Sequence, residues 1–170
     1  MRYASFHFSA PPPLPLMRYF LDTEFNGFGG ALISLALVPE YGDQEFYVSL
    51  PLPGEIHPWV AQNVVPYLRF VPPGVDYDLS RADASRHLEA YLAPDNDPLI
   101  VADWPDDLAH FCQLLLTGPG NMIALDGLRL QLINGAGFSA AVNSKVPHNA
   151  LHDARALKEF CLNGALSGVL

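Results

Sequence analysis

The sequence predicts a single α/β domain with a mixed five-stranded sheet flanked by helices. Three features point to it. Three apolar runs separated by turn residues come first, helical patterns fill the middle, and two further apolar runs alternate with helical stretches towards the C-terminus. An order of three strands, helices, then strand, helix, strand, helix is that of one α/β layer structure.

Residues 1–16 are expected to be an appendage. Pro11, Pro12, Pro13 and Pro15 favour polyproline II and cannot join a central sheet, and the apolar content is too broken for a signal peptide. Met-Arg-Tyr occurs at Met1 and again at Met17, so Met17 is the expected start and residues 17–170 the expected domain.

Arg18 to Phe25 reads as the first strand, broken at Asn26-Gly27-Phe28-Gly29-Gly30, with Ala31 to Val38 the second and Glu45 to Leu50 the third. Tyr41-Gly42-Asp43 supplies the turn between the last two. Helices are predicted over Pro58 to Leu68 and about Leu79 to Leu92, the second with Asp78 or Ser80 as its N-cap. Pro98 to Ala102 is a short apolar strand. In the helix predicted over Pro105 to Leu116, the proline suits the first position and Asp106 and Asp107 complement the helix N-terminus. Leu128 to Ile133 is the fifth strand, Asn134 to Lys145 a glycine-bearing loop, and Asn149 to Cys161 a last helix ending before Gly164.

Composition narrows the function. Of 170 residues half are hydrophobic and only 16% charged, enough for one core without disulfides or structural metal, since a chain of this length buries roughly 70% of its unfolded surface. No apolar run approaches the ~20 residues of a membrane helix. Cys112 and Cys161 both lie in apolar segments and are too few for a disulfide framework or a four-cysteine zinc site, which fits a reducing cytoplasm. Nine basic against eighteen acidic residues give a net charge of −9. Such a balance argues against coating duplex nucleic acid, which depends on many cation-to-phosphate contacts, but it leaves room for an enzyme that grips one nucleotide end through metal ions.

Candidate chemistry sits in three places. Asp22-Thr23-Glu24 closes the first strand, and residues two apart share one face, so both carboxylates can meet one ion cluster; alone, such a pair equally well caps a strand end or faces solvent. The neighbouring glycines do not make a dinucleotide fingerprint, because position 32 is Leu and a strand rather than a helix follows. Asp103-Trp104-Pro105-Asp106-Asp107 lies at a strand-to-helix junction, where open α/β sheets present functional groups and where carboxylates also serve as ordinary helix caps. His148 and His152 are four apart, as in zinc proteases, yet Asn149 stands where those need a glutamate base. Read otherwise, His148 enters the last helix with Asp153 about one turn inside it.

Taken in order, Asp22-x-Glu24, the mid-chain aspartate and His148-x-Ala-x-x-Asp153 resemble the three motifs of the DEDDh 3′-to-5′ exonucleases, the superfamily of ribonuclease T, oligoribonuclease and the proofreading subunit of bacterial DNA polymerase. Motif order, spacing and context cover about residues 18 to 160. The MRYFLDTEF opening and the Phe-Cys-Gln-Leu run after the second motif look most like a small bacterial 3′-to-5′ exoribonuclease group with a mycobacterial prototype. The resemblance implies a ribonuclease H-like fold and removal of nucleoside 5′-monophosphates from the 3′ end of single-stranded RNA or 3′ overhangs.

It further implies that Asp22, Glu24 and Asp153 hold metal and that His148 is the general base. For the fourth carboxylate, counting four residues from Asp103, which stands where many members have Asn, gives Asp107; this chain has Ala102-Asp103 in place of the common His-Asn pair, so Asp103 remains a competitor. Crowded carboxylates need neutralising cations, and oxygen ligands with a phosphate substrate suit two Mg²⁺ or Mn²⁺ ions, with Asp22 as the bridging ligand. Phe25 and Phe28 are candidates to stack on the terminal base, or else core or packing residues, and His152, next to Asp153, is expected to support the metal-holding residues from behind or to be exposed. A homodimer lending residues across its interface is expected. Alternatives are a DNA exonuclease of the same superfamily and a catalytically silent nucleic-acid-binding domain.

Overall fold

The computed structural model describes residues 17–75 and 77–166; the proline-bearing segment 1–16 lies outside the described residues. Its middle strand, β1 (Arg18–Phe25), alternates its side chains between two faces, both of which are covered. Antiparallel to it runs β2 (Leu32–Pro39), buried at every position, and antiparallel to that β3 (Phe46–Ser49). On its other edge β1 pairs in parallel with β4 (Leu99–Ala102), which pairs in parallel with β7 (Arg129–Leu132). The result is a mixed five-stranded sheet in the order β3-β2-β1-β4-β7, flanked by helices in the ribonuclease H-like manner.

Between these strands come α1 (Pro58–Asn63), a 3₁₀ turn (Val65–Tyr67), α2 (Arg81–Leu92), α3 (Pro105–Leu115), the hairpin β5 (Leu116–Gly118) and β6 (Asn121–Met122), α4 (Ala140–Asn143) and α5 (Ala150–Leu166). Odd-numbered positions of β1, Tyr19 and Leu21, join Leu35, Leu37 and Val48 in a core closed by Leu88 and Leu92 of α2 and Phe111 and Leu114 of α3. Even-numbered positions face α5. There Phe20 and Val101 pack with Leu157 and Cys161, and Ala36 and Tyr47 with Leu151 and Ala154. This alternation decides the site, because Asp22 and Glu24 continue the α5-facing row while Thr23 faces α3. Among the described residues no helix is long and apolar enough to cross a membrane, and both cysteines are free thiols.

Four local expectations are corrected. The helix predicted over Pro58 to Leu68 stops at Asn63, because Pro66 has no amide proton and its ring would strike the carbonyl four residues earlier; a 3₁₀ turn takes over. Asp78 is not a helix cap: its backbone is left-handed (φ 53°) and its carboxylate pairs with Arg69, while the Ser80 oxygen accepts the Asp83 amide at 3.1 Å. The loop over Asn134 to Lys145 contains the single turn of α4. The last helix runs through Gly164 to Leu166, since an isolated glycine costs a helix only about 1 kcal/mol. The β5–β6 hairpin had no counterpart among the predicted strands.

Candidate active site

The register of β1 shifts between Glu24 and Phe25, a bulge at the strand's end. Such irregularities turn a strand and re-aim its side chains. The chain then reverses through Asn26–Gly30. Gly27 and Gly29 have positive φ (75° and 68°), and a Cβ on Gly30 would stand 2.1 Å from the Asn26 carbonyl oxygen, so only glycine closes this turn. Asn26 ties the turn to the segment before α1: its Nδ2 donates to the Glu55 carbonyl at 2.9 Å and its Oδ1 accepts the His57 amide at 2.8 Å. Phe28 is thereby left 98% exposed at the loop tip, so its reading as a core residue is wrong.

Beside the end of β1 opens a pocket of about 590 Å³, lined by the five candidate ligand carboxylates, Asp22, Glu24, Asp103, Asp107 and Asp153, together with His148, while Asp106 does not line it. Each arrives from a different place in the fold. Asp22 and Glu24 come from one face of β1, Asp103 from the end of β4, Asp107 from the first turn of α3, and Asp153 from the first turn of α5. Ligand atoms of Glu24, His148 and Asp153 lie within 4.8 Å of one another; Asp22 and Asp107 share the pocket but not that group of three. His152 is directed elsewhere, with its Nε2 2.9 Å from the Phe70 carbonyl oxygen.

The two candidates for the fourth carboxylate differ in setting. Asp107 is buried, and its Oδ1 accepts both the amide (3.1 Å) and the hydroxyl (2.6 Å) of Thr23, which fixes the side chain to β1. Asp103 is half-buried, its carboxylate hydrogen-bonded to its own backbone rather than to another element, close to Gly135, where a Cβ would meet it at 3.2 Å. Both line the pocket.

His148 occupies a left-handed backbone (φ 64°), a conformation uncommon in a non-glycine residue and one that tends to persist where surroundings enforce it. Here the enforcement is visible. Its amide donates to Asp153 Oδ2 at 3.0 Å, and the Trp59 ring meets its imidazole edge-on at 4.9 Å between centroids. Phe25, by contrast, stacks on His110 at 4.8 Å, a packing contact on the pocket wall. Trp59 and Trp104, both about half exposed, complete an aromatic rim with Phe28. Neither tryptophan was among the predicted site residues, and only their position in space brings them to it.

Electrostatics define the site further. Burial, then the neighbouring charges of Asp107, Glu24, Asp153 and Asp103, pushes Asp22 well above the usual carboxylate range. Burial does the same to Glu24, helped by Asp153 and Asp107. Asp107 is raised to about 7 by burial despite the opposing Thr23 hydrogen bonds, and Asp103 and Asp153 are raised by burial as well. Among the described residues Asp153 Oδ1 is buried with no hydrogen-bond partner, while the Ser144 hydroxyl beside the carboxylate partly offsets its burial. A cluster of oxygen donors that cannot all ionise together, with one buried oxygen unpaired, has the chemistry of a hard divalent-cation site: a cation there lets every carboxylate ionise and gives the orphaned oxygen a partner. The oxygen donors are of the kind a hard divalent cation takes, and Asp22, Glu24, Asp107 and Asp153 would be the residues to hold one.

No protein-family model matches this chain, and no curated protein sequence matches it significantly.

Proposed function

We propose that the protein is a metal-dependent 3′-to-5′ exoribonuclease. The observation that carries the reading is the convergence of Asp22, Glu24, Asp107, Asp153 and His148, drawn from β1, α3 and the start of α5, in one pocket with exposed aromatics at its rim. Those are the residues that the motif resemblance assigns to catalysis.

Two divalent cations held by Asp22, Glu24, Asp107 and Asp153 would supply positive charge at the attacking and leaving oxygens of the terminal phosphodiester. The protein's own residues do the rest. His148 accepts a proton from the attacking water on a ring nitrogen. Its left-handed backbone and the Asp153 and Trp59 contacts hold the ring in place for that step. Thr23 fixes Asp107, so the carboxylate cluster is assembled before substrate arrives. Phe28 and Trp59 offer faces on which the terminal base stacks, a contact that tolerates any sequence. Phe25 shapes the wall through its His110 stack.

The reading includes a homodimer, because a chain with a net charge of −9 has little basic surface with which to hold a polyanion alone. Nucleoside 5′-monophosphates released from a single-stranded RNA, and a slower release from a matched DNA, are the expected products on chromatography. Faster turnover of the DNA would reverse the assignment of substrate within the same reaction.

A further inference from the structure

Resting on the nuclease reading, the structure assigns a second element of the substrate site: we infer that the Tyr67–Phe70 shelf and Lys145 hold the RNA strand on the 5′ side of the two terminal nucleotides. A groove of about 330 Å³ adjoins the catalytic pocket and shares His148 with it; Tyr67, Phe70 and Lys145 line it. From there it continues into a second hollow of about 390 Å³ past the same Phe70. In a protein with twice as many acidic as basic residues, no acidic residue lines either hollow among the described residues.

Lys145 is the second observation. Eight basic residues are described, and seven are engaged within the protein. Arg18, Arg69, Arg86, Arg129 and Arg155 pair with carboxylates, and Arg81 and Lys158 donate to backbone carbonyls. Lys145, exposed at the groove, is the one with neither kind of partner among the described residues. Lys145 also lines a small adjoining hollow with Glu159, but within the groove itself it stands with no acidic residue, which fits a backbone phosphate.

The shelf itself is built. Three carbonyls in its backbone accept side-chain hydrogen bonds from below: Tyr67 from Asn149 Nδ2 (2.8 Å), Leu68 from the Tyr47 hydroxyl (2.8 Å) and Phe70 from His152 Nε2 (2.9 Å). Asn149 and His152 flank the helix start that also carries Asp153, so one segment places both the catalytic carboxylate and the shelf. With its backbone fixed, the shelf turns Tyr67 and Phe70 outward, 38% and 57% exposed, their rings 5.8 Å apart edge to face. Exposed aromatic faces beside a cation are what single-stranded nucleic acid uses for sequence-tolerant binding. This also gives Asn149 and His152, which the catalytic reading leaves over, positioning roles.

Steady-state kinetics on an RNA dinucleotide and an RNA heptanucleotide test the inference with Phe70→Ala, Lys145→Ala and Lys145→Arg. Expected for the heptanucleotide is a KM raised about tenfold in Phe70→Ala and several-fold in Lys145→Ala, with kcat unchanged and Lys145→Arg close to the parent. Lys145→Ala also flattens the logarithmic salt dependence by about 0.7. Dinucleotide kinetics stay the same in all three. An unchanged heptanucleotide KM, or equal effects on both substrates, overturns the shelf while leaving the nuclease intact. Loss of a dimer in Phe70→Ala with KM unchanged assigns the surface to a second copy and overturns it too. A parent protein that degrades neither RNA refutes the nuclease reading and the shelf with it. Lys145 is an exposed side chain, so its variants decide the matter even if Phe70→Ala does not fold.

Discussion

Asp153 shows at the scale of one residue what the whole site demands. One of its oxygens holds the His148 amide, while the other is buried without a partner among the described residues, and burial raises its pKa against the opposing Ser144 hydrogen bond. Asp22, Glu24 and Asp107 share the difficulty. A carboxyl whose pKa is raised by folding favours the folded state while protonated; that contribution is full below the unfolded value of 3.8 and lost as pH rises through the folded one, about 7 for Asp107. Without metal, therefore, the melting temperature falls between about pH 4 and pH 8, and the cluster titrates as a unit. Mg²⁺ or Mn²⁺ raises it at pH 8 far more than at pH 5. In Asp22→Asn the metal-free protein melts higher than the parent at pH 8, because a repulsive charge is gone, and the gain from metal shrinks. Thermal denaturation with chelator and with each cation checks all three statements. Phe28→Ala separates binding from folding: at 98% exposure its loss leaves stability within about 0.5 kcal/mol, while the KM for RNA rises.

At the scale of elements, the turn after β1 and the start of α5 control the site without touching substrate. Gly30→Ala places a methyl group against the Asn26 carbonyl, so the turn opens and the bonds from Asn26 to residues 55 and 57 are lost; reduced stability and nearly abolished turnover are expected from denaturation and assay of one preparation. Asn149→Ala removes the acceptor of the Leu151 and His152 amides and the donor to Tyr67, a buried set worth about 1 to 3 kcal/mol in urea denaturation. The five strands of the main sheet were readily legible in the sequence because apolar runs and turn residues mark them locally, whereas the short, exposed β5–β6 hairpin was not. Asp22, Glu24 and Asp107 were legible through position, two on one strand face and one in a helix's first turn. Helix ends were less so: Pro66 and Gly164 are both breakers by composition, yet Pro66 removes a hydrogen bond and ends α1, whereas Gly164 removes none and α5 continues. Trp59, Trp104 and the Tyr67–Phe70 shelf were not legible. Nothing local distinguishes an exposed aromatic from a buried one; Trp104 follows Asp103 directly, while Asn26, Asn149 and His152, acting across 29 or more positions of chain, set Trp59 and the shelf beside the pocket.

Across the whole molecule, charge and chemistry pull in opposite directions. A net charge of −9 repels RNA, the carboxylates that dominate the pocket add to that repulsion, and almost every described cation is spent on internal pairs. On the proposed nuclease reading, substrate capture would depend on divalent cations, on aromatic faces and on a second subunit. Light scattering accordingly finds a dimer of the 18.6 kDa chain, and a monomer at all concentrations removes the shared-site part of the proposal. The central claim, that this pocket is a metal-dependent 3′-end nuclease, is tested most directly with a 5′-labelled single-stranded RNA incubated with Mg²⁺, with Mn²⁺ and with chelator, alongside Asp22→Ala and His148→Ala. A ladder that shortens from the 3′ end with either cation, and is absent with chelator and in both variants, is the predicted result. Intact RNA under every metal condition, from protein shown to be folded, contradicts it and leaves a domain that binds without turning over.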